Sequence, residues 1–164
     1  MPPRWGRAYQ LFATLALFSS CSSSSTVPSA TADSTATCNP DLWNHVYDPS
    51  RLQVVDVCRT VIGSVSDLHA NEDGDYDIRV ALDPPYTALV NDANRAQLQG
   101  HLQIETVCQA QVTVADAKAA CGSFVGNVLI PQPSQHISVT GSYVLDTNHG
   151  GMEIHPVSAI RIVP

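Results

Sequence analysis

Between Asp146 and Pro156 the chain reads Asp-Thr-Asn-His-Gly-Gly-Met-Glu-Ile-His-Pro, its densest run of groups able to do chemistry. Asp146, His149, Glu153 and His155 surround a Gly150-Gly151 pair that must turn the chain. If the residues after the turn are extended, Glu153 and His155 are two apart and share a face, while Ile154 points to the other side. A His-x₃-Glu-x-His array offers two imidazoles and a carboxylate, a set suited to zinc or another divalent transition metal. His149, Glu153 and His155 would be the ligands. Asp146 would orient one imidazole from behind, and the chemistry would be metal-activated water. The same residues serve equally as a hydrogen-bonded network that rigidifies one end of the fold, or as a polar patch for a ligand. The spacing matches no established motif, so no catalytic residue is assigned.

Other constellations fail on their own terms. The acidic turn Asn71-Glu-Asp-Gly-Asp-Tyr-Asp77 has its glycine one place too early for an EF-hand loop and has no glutamate at the twelfth position. Its alternating acids read as the solvated face of a hairpin. No Gly-x-Ser-x-Gly elbow, glycine-rich phosphate loop or CxxC pair occurs.

The elements that must position the hairpin are mostly strands. Arg59–His69 is rich in β-branched residues with Gly63 at its middle, where a glycine marks a bulge or bend. Asp73-Gly74 is a turn signal. In Asp75–Leu82, Tyr76, Ile78, Val80 and Leu82 face one side, while Asp75, Asp77 and Arg79 face water. Residues 87–100 read as a polar connection, and His101–Cys108 as a third strand. Thr113–Cys121 reads as a short helix capped by Thr113, or as an irregular loop held by a disulfide. A fourth strand spans His136–Asp146 with Gly141 inside it, and Tyr143 packs with Ile137 and Val139. The fifth runs from Met152 to Val163, interrupted at Pro156. Trp43, in a segment at 38–56 that precedes the barrel, packs across one end.

The amino terminus supplies an address. Arg4 and Arg7 precede an apolar run of eight, Leu11–Phe18, far short of the roughly 20 residues of a membrane-spanning helix. Ser19-Ser20-Cys21 follows and resembles the lipobox of bacterial lipoproteins, in which the leader (1–20) is removed and the cysteine becomes the lipid-modified first residue. An ordinary secretory cut near Ser29-Ala30 is the alternative; both export the protein. The Ser/Thr/Ala-rich stretch after Cys21, to residue 37, lacks the apolar side chains needed to fold. As a tether it would span roughly 20–25 Å.

Five cysteines are awkward for an exported chain. With Cys21 assigned to the lipid, four remain, and three connectivities are open. Cys38–Cys58 with Cys108–Cys121 is preferred because both close short loops, each contributing roughly 3 kcal/mol by chain entropy. Charge narrows the partners. The chain carries 8 basic and 15 acidic residues, and loss of Arg4 and Arg7 makes the balance more acidic still. Phosphate backbones are repelled.

A three-stranded meander with Gly63 in its first strand, a helical connection and a closing hairpin together resemble the OB-fold, a five-stranded Greek-key barrel. The resemblance covers residues 57–163 and implies an all-β domain with one short helix at 57–164; a small β-sandwich is the alternative. The ending Asp146…His149-Gly150…Glu153-Ile-His-Pro156 looks like that of small exported bacterial OB-like proteins of unassigned function, which carry no activity to transfer. OB-folds that bind single strands use exposed aromatics beside a basic groove, and here basic residues are few and scattered. The expectation is an envelope lipoprotein, anchored by lipid on the extracytoplasmic face, whose barrel binds a protein, peptide or glycan partner without catalysis. The alternative is a metal-binding protein or metal-dependent hydrolase built on His149, Glu153 and His155.

Overall fold

The computed structural model describes residues 37–164; the leader, Cys21 and the tether up to residue 36 lie outside the described residues. Five strands form one mixed sheet: β1 (Leu52–Ala70), β2 (Tyr76–Leu82), β3 (Leu102–Thr106), β4 (His136–Asp146) and β5 (Met152–Ile162). The order β1-β2-β3-β5-β4 closes on itself as a barrel, because β4 pairs back to β1. All neighbours are antiparallel except β3 and β5. A single closed sheet replaces the two facing sheets of the sandwich alternative.

Alternation explains what fills the barrel. Ile78 and Val80 of β2, Leu102 and Ile104 of β3, Ile137, Val139 and Tyr143 of β4, and Ile154, Val157 and Ile160 of β5 share one buried cluster with Val61 and Val65 of β1. Burying side chains of this size contributes about 1.5–3 kcal/mol each before entropy is charged against it. Tyr143 also donates its hydroxyl to the Leu89 carbonyl at 2.6 Å, so it ends neither unpacked nor unsatisfied.

Strand β1 is 19 residues long and starts at Leu52, seven residues before the Arg59 expected from β-branched content. It serves two partners, pairing β4 from Leu52 to Ser64 and β2 from Gly63 to Ala70. Gly63 stands where both ladders meet. A Cβ there would fall 2.4 Å from the Ala81 carbonyl oxygen, so no larger residue fits. The register shift lies just beyond, between Val65 and Asp67. Strand β5 runs through Pro156, and its ladder to β4 slips beside Gly141, where a Cβ would meet the Pro156 carbonyl at 2.5 Å.

The helices differ most from expectation. The stretch at 113–121 yields only α2 (Lys118–Cys121), and the loop before it is held instead by the Cys108–Cys121 disulfide and by carbonyls of Glu72 and Gly74. The expected polar connection contains α1 (Asp92–Gln97), which starts in a reciprocal cap between Asn91 and Asn94. Six residues with little apolar content have no helical periodicity to read.

A second apolar cluster lies outside the barrel wall. Leu42 and Val46 pack with Leu52, Val107, Val144 and the Cys108–Cys121 pair, with Trp43 and Phe124 against them. The 3₁₀ turn Pro40–His45 delivers Leu42 and Trp43, and Trp43 donates its indole N–H to Ser142 Oγ at 3.2 Å. Cys38–Cys58 ties this segment to β1. Two disulfides fit an oxidising, extracytoplasmic setting. Among the described residues no helix is long and apolar enough to cross a membrane.

Candidate functional site

Because Ile78, Ile104 and Ile154 fill the barrel, their neighbours Asp77, Glu105, Glu153 and His155 must project from its outer face. Register brings them together. Asp77 of β2 lies opposite Glu105 of β3, and Gln103 of β3 lies opposite Glu153 of β5. Asp75 joins from the turn before β2, and Asp146 from the end of β4. Arg51 enters from a 3₁₀ turn, Pro49–Arg51, immediately before β1. These outward groups are nevertheless covered: His155 is 0 % exposed, Asp75 2 % and Glu153 3 %. The solvated hairpin face expected of Asp75 is therefore corrected. Its Oδ1 accepts from the Cys108 N–H at 2.8 Å, which draws the carboxylate beneath the disulfide-tied loop.

Arg51 is the hub. One guanidinium nitrogen donates to Asp146 Oδ2 at 2.5 Å and lies 3.6 Å from Glu153 Oε1; the other is 3.3 Å from Glu105 Oε2. His155 is the second hub. Its Nδ1 is 2.8 Å from Glu105 Oε2 and 3.4 Å from Glu153 Oε1, and its Nε2 is 3.8 Å from Asp75 Oδ2. Yet both imidazole nitrogens, Asp75 Oδ2, Asp77 Oδ1 and Glu153 Oε1 are buried without a well-angled hydrogen bond, so these contacts supply charge attraction more than directed bonding. Native interiors leave few polar groups in that condition.

Electrostatics follow from that crowding. Burial raises Asp75 to about 7 and Asp77 to about 6, with the charge of Glu105 adding to both. Burial also raises Glu153 to about 7, against the opposing pull of His155 and Arg51. Burial would raise Glu105 as well, but His155 and then Arg51 outweigh it and hold Glu105 at about 2. Burial disfavours an imidazolium, yet Glu105 and Glu153 push His155 up to about 10. Asp146 is lowered despite its burial, by hydrogen bonds from His149 and Asn148 and by the Arg51 charge. The carboxylates thus divide into two tightly paired to cations and three that resist ionisation.

The cluster opens on one side to a cleft of about 210 Å³. Asp77, Arg79, Gln103, Glu105 and Glu153 line it from the sheet, Asp146 and His149 from the β4–β5 turn, and Ala93, Asn94 and Gln97 from α1.

The four residues expected from the sequence separate into two places. Glu153 and His155 do share a face and meet in the buried cluster, as Ile154 turns into the barrel. His149 stays on the surface, its side chain 75 % exposed, with Nδ1 2.7 Å from Asp146 Oδ2. Asp146 is shared between His149 and Arg51, so it orients the surface imidazole rather than the buried one. What joins Glu153 and His155 is instead Asp75, Glu105 and Arg51, which the linear spacing around the turn did not bring forward. The signal available was the outward alternation of Asp77 and Glu105, opposite one another once the β2–β3 hairpin is paired. The sequence matches no protein-family model and no curated protein.

Proposed function

We propose that this protein is a lipid-anchored envelope protein whose OB-like barrel is a non-enzymatic binding module, with the acidic cleft on β2 and β3 as its receiving face. The strand order and the antiparallel β1–β2–β3 meander support the OB-like reading. The four-residue α2 and the placement of α1 between β2 and β3 are departures from that fold's usual single helix. OB-folds bind ligands on the face of strands two and three, between the first and fourth loops. The observation that carries the proposal is that the cleft occupies this same face, with the β4–β5 turn at its rim. A volume of about 210 Å³ falls below the usual range for whole small-molecule ligands, roughly 300–1,000 Å³. It suits one side chain or one sugar of a larger partner, and its carboxylates favour a protein, peptide or glycan that presents basic or hydroxyl donors. They disfavour nucleic acid.

Gln97 is exposed and lines the cleft, so Gln97→Trp should obstruct it without disturbing the core. Immobilised soluble domain is expected to retain a protein or glycan component from envelope extract. That retention should fall about tenfold or more in Gln97→Trp, a loss of about 1.4 kcal/mol, and persist in Ala96→Trp, whose position does not line the cleft. Equal retention by all three proteins would move binding off this face. Retention of nothing by the parent domain would defeat the module. The anchor has a separate test: metabolic labelling with a fatty acid should mark the parent chain and disappear in Cys21→Ser, and labelling that persists would refute it.

A further inference from the structure

Beneath the cleft floor, Asp75, Glu105 and His155 each offer a ligand atom, and all three atoms lie within 4.8 Å of one another. We propose that these three residues bind one divalent transition ion, of which zinc is the natural probe. The ion and the partner share only Glu105, which lines the cleft, and the test below reads the ion directly, so it stands or falls apart from partner binding.

Three observations converge on it. The first is the donor set: one imidazole and two carboxylates suit zinc and its borderline neighbours, whereas calcium and magnesium prefer oxygen alone. The second is the unsatisfied chemistry. Asp75 is 2 % exposed, and its Oδ2 and the Nε2 of the wholly buried His155 face one another at 3.8 Å, too far for a hydrogen bond, with no other hydrogen-bond partner for either atom. Such groups cost free energy unless something satisfies them. The third is charge. Five carboxyl groups (Asp75, Asp77, Glu105, Asp146 and Glu153) surround two cationic side chains, Arg51 and His155.

Coordination needs one carboxylate to move. Zinc bonds of about 2.0–2.2 Å at tetrahedral angles place ligand atoms about 3.3 Å apart, and His155 Nε2 stands 3.8 Å from Asp75 Oδ2, while Glu105 Oε2 now lies 2.8 Å from Nδ1 and would swing to the Nε2 side as the ion enters. His155 gives one nitrogen to the ion and donates the other N–H to a remaining carboxylate, Glu153 being 3.4 Å from Nδ1. That arrangement fixes the tautomer in the way metal-bound histidines usually require. Arg51 then neutralises Glu153 and Asp146 at the edge of the site. Glu105 lines the cleft and gives the ion a way in.

The test begins with the full folded domain, both disulfides intact. Zinc-supplemented protein dialysed against metal-free buffer is expected to retain one zinc per chain by elemental analysis. Zinc added to chelator-stripped, ¹⁵N-histidine-labelled protein should shift the ring nitrogens of His155 and leave those of His149 in place. Asp75→Asn and Glu105→Gln, both close in shape to the parent residues, should each weaken zinc binding about tenfold or more, while His149→Ala should bind as the parent does. Zinc at trace level only, His155 resonances that do not respond, or unchanged affinity in the Asp75→Asn/Glu105→Gln double variant would each overturn the site. The first two readouts use the parent chain and decide the matter even if a variant fails to fold.

Discussion

Replacing Arg51 with methionine is expected to remove about 3–5 kcal/mol of unfolding free energy at pH 7, the usual cost of leaving buried charges without their partner. Arg51 contacts Glu105, Asp146 and Glu153 at once, and its side chain is 13 % exposed. Methionine keeps much of the aliphatic stem, so the loss reports on charge. The Arg51 carbonyl, which accepts from the Thr147 N–H and hydroxyl, is unchanged by the substitution. The cost should shrink as pH falls, and the sign is fixed by linkage. Glu105 and Asp146 have folded values below their ordinary ones, so their favourable contribution is complete above about 4–5 and is lost on acidification. Asp75, Asp77 and Glu153 lie above theirs, so stability falls as pH rises through about 6–7 and those groups ionise. His155 acts in the same direction: its contribution is complete below about 6.5 and is lost as pH rises through about 10. In metal-free protein both chains should therefore be more stable at pH 5 than at pH 8, and the gap between them narrower at pH 5, where Glu153 is already protonated. Urea unfolding at the two pH values measures this. A loss under 1 kcal/mol at pH 7, or a gap that widens on acidification, would show that Arg51 does not hold the cluster together.

The division between what the sequence revealed and what it hid follows from where each side chain points. Strands β2, β4 and β5 were legible because Ile78/Val80, Ile137/Val139 and Ile154 alternate with polar residues, and a closed barrel demands that pattern on its inner face. The pairing of Glu153 with His155 was legible for the same reason, being set by a spacing of two. The cluster around them was not. An outward-facing acid such as Asp75 or Asp77 reads as solvated unless one knows that a second layer covers the barrel wall at that point. That layer is built from distant pieces: Leu42 and Val46 from the amino-terminal segment, and Val107 and Cys121 from the loop after β3. The loop draws Asp75 inward through the Cys108 N–H. Arg51 was hidden similarly, because it precedes β1 and meets Asp146 across 95 residues of sequence. His149 shows the opposite case. Its neighbourhood to Glu153 and His155 in sequence implied a shared site, but the Gly150-Gly151 turn leaves it on the surface.

Helix α1 shows how a short element with no hydrophobic pattern can still shape the site, and Asn94 is where that is tested. Its side chain is fully buried and uses all its hydrogen-bonding capacity. Oδ1 accepts from the N–H groups of Met152, at 2.8 Å, and of Asn91, at 3.2 Å; Nδ2 donates to the carbonyls of Met152, at 2.9 Å, and of His101, at 3.3 Å. One amide therefore starts α1 and seals it against the first residue of β5 and the residue preceding β3. Asn94→Leu preserves volume but strands four backbone groups. At a net loss of about 0.5–1.5 kcal/mol per hydrogen bond, and more where burial persists, the expected cost is about 3 kcal/mol. The consequence for function exceeds the loss of stability. Ala93, Asn94 and Gln97 form one wall of the cleft, and with the Asn94 lock gone that wall keeps its ties from Asn91 to the Gly150 carbonyl and from Gln97 to the His149 carbonyl but should loosen from the start of β5. Amide exchange in the folded variant should then accelerate at Asn91, Leu98 and Met152 while the barrel-core amides of Ile78 and Ile104 stay protected. Partner retention should fall with the loosened wall even under conditions where the barrel remains folded. Uniform acceleration across β2 and β3 would mean that Asn94 supports the whole barrel, and unchanged exchange at Met152 would mean that α1 is held by something other than this amide.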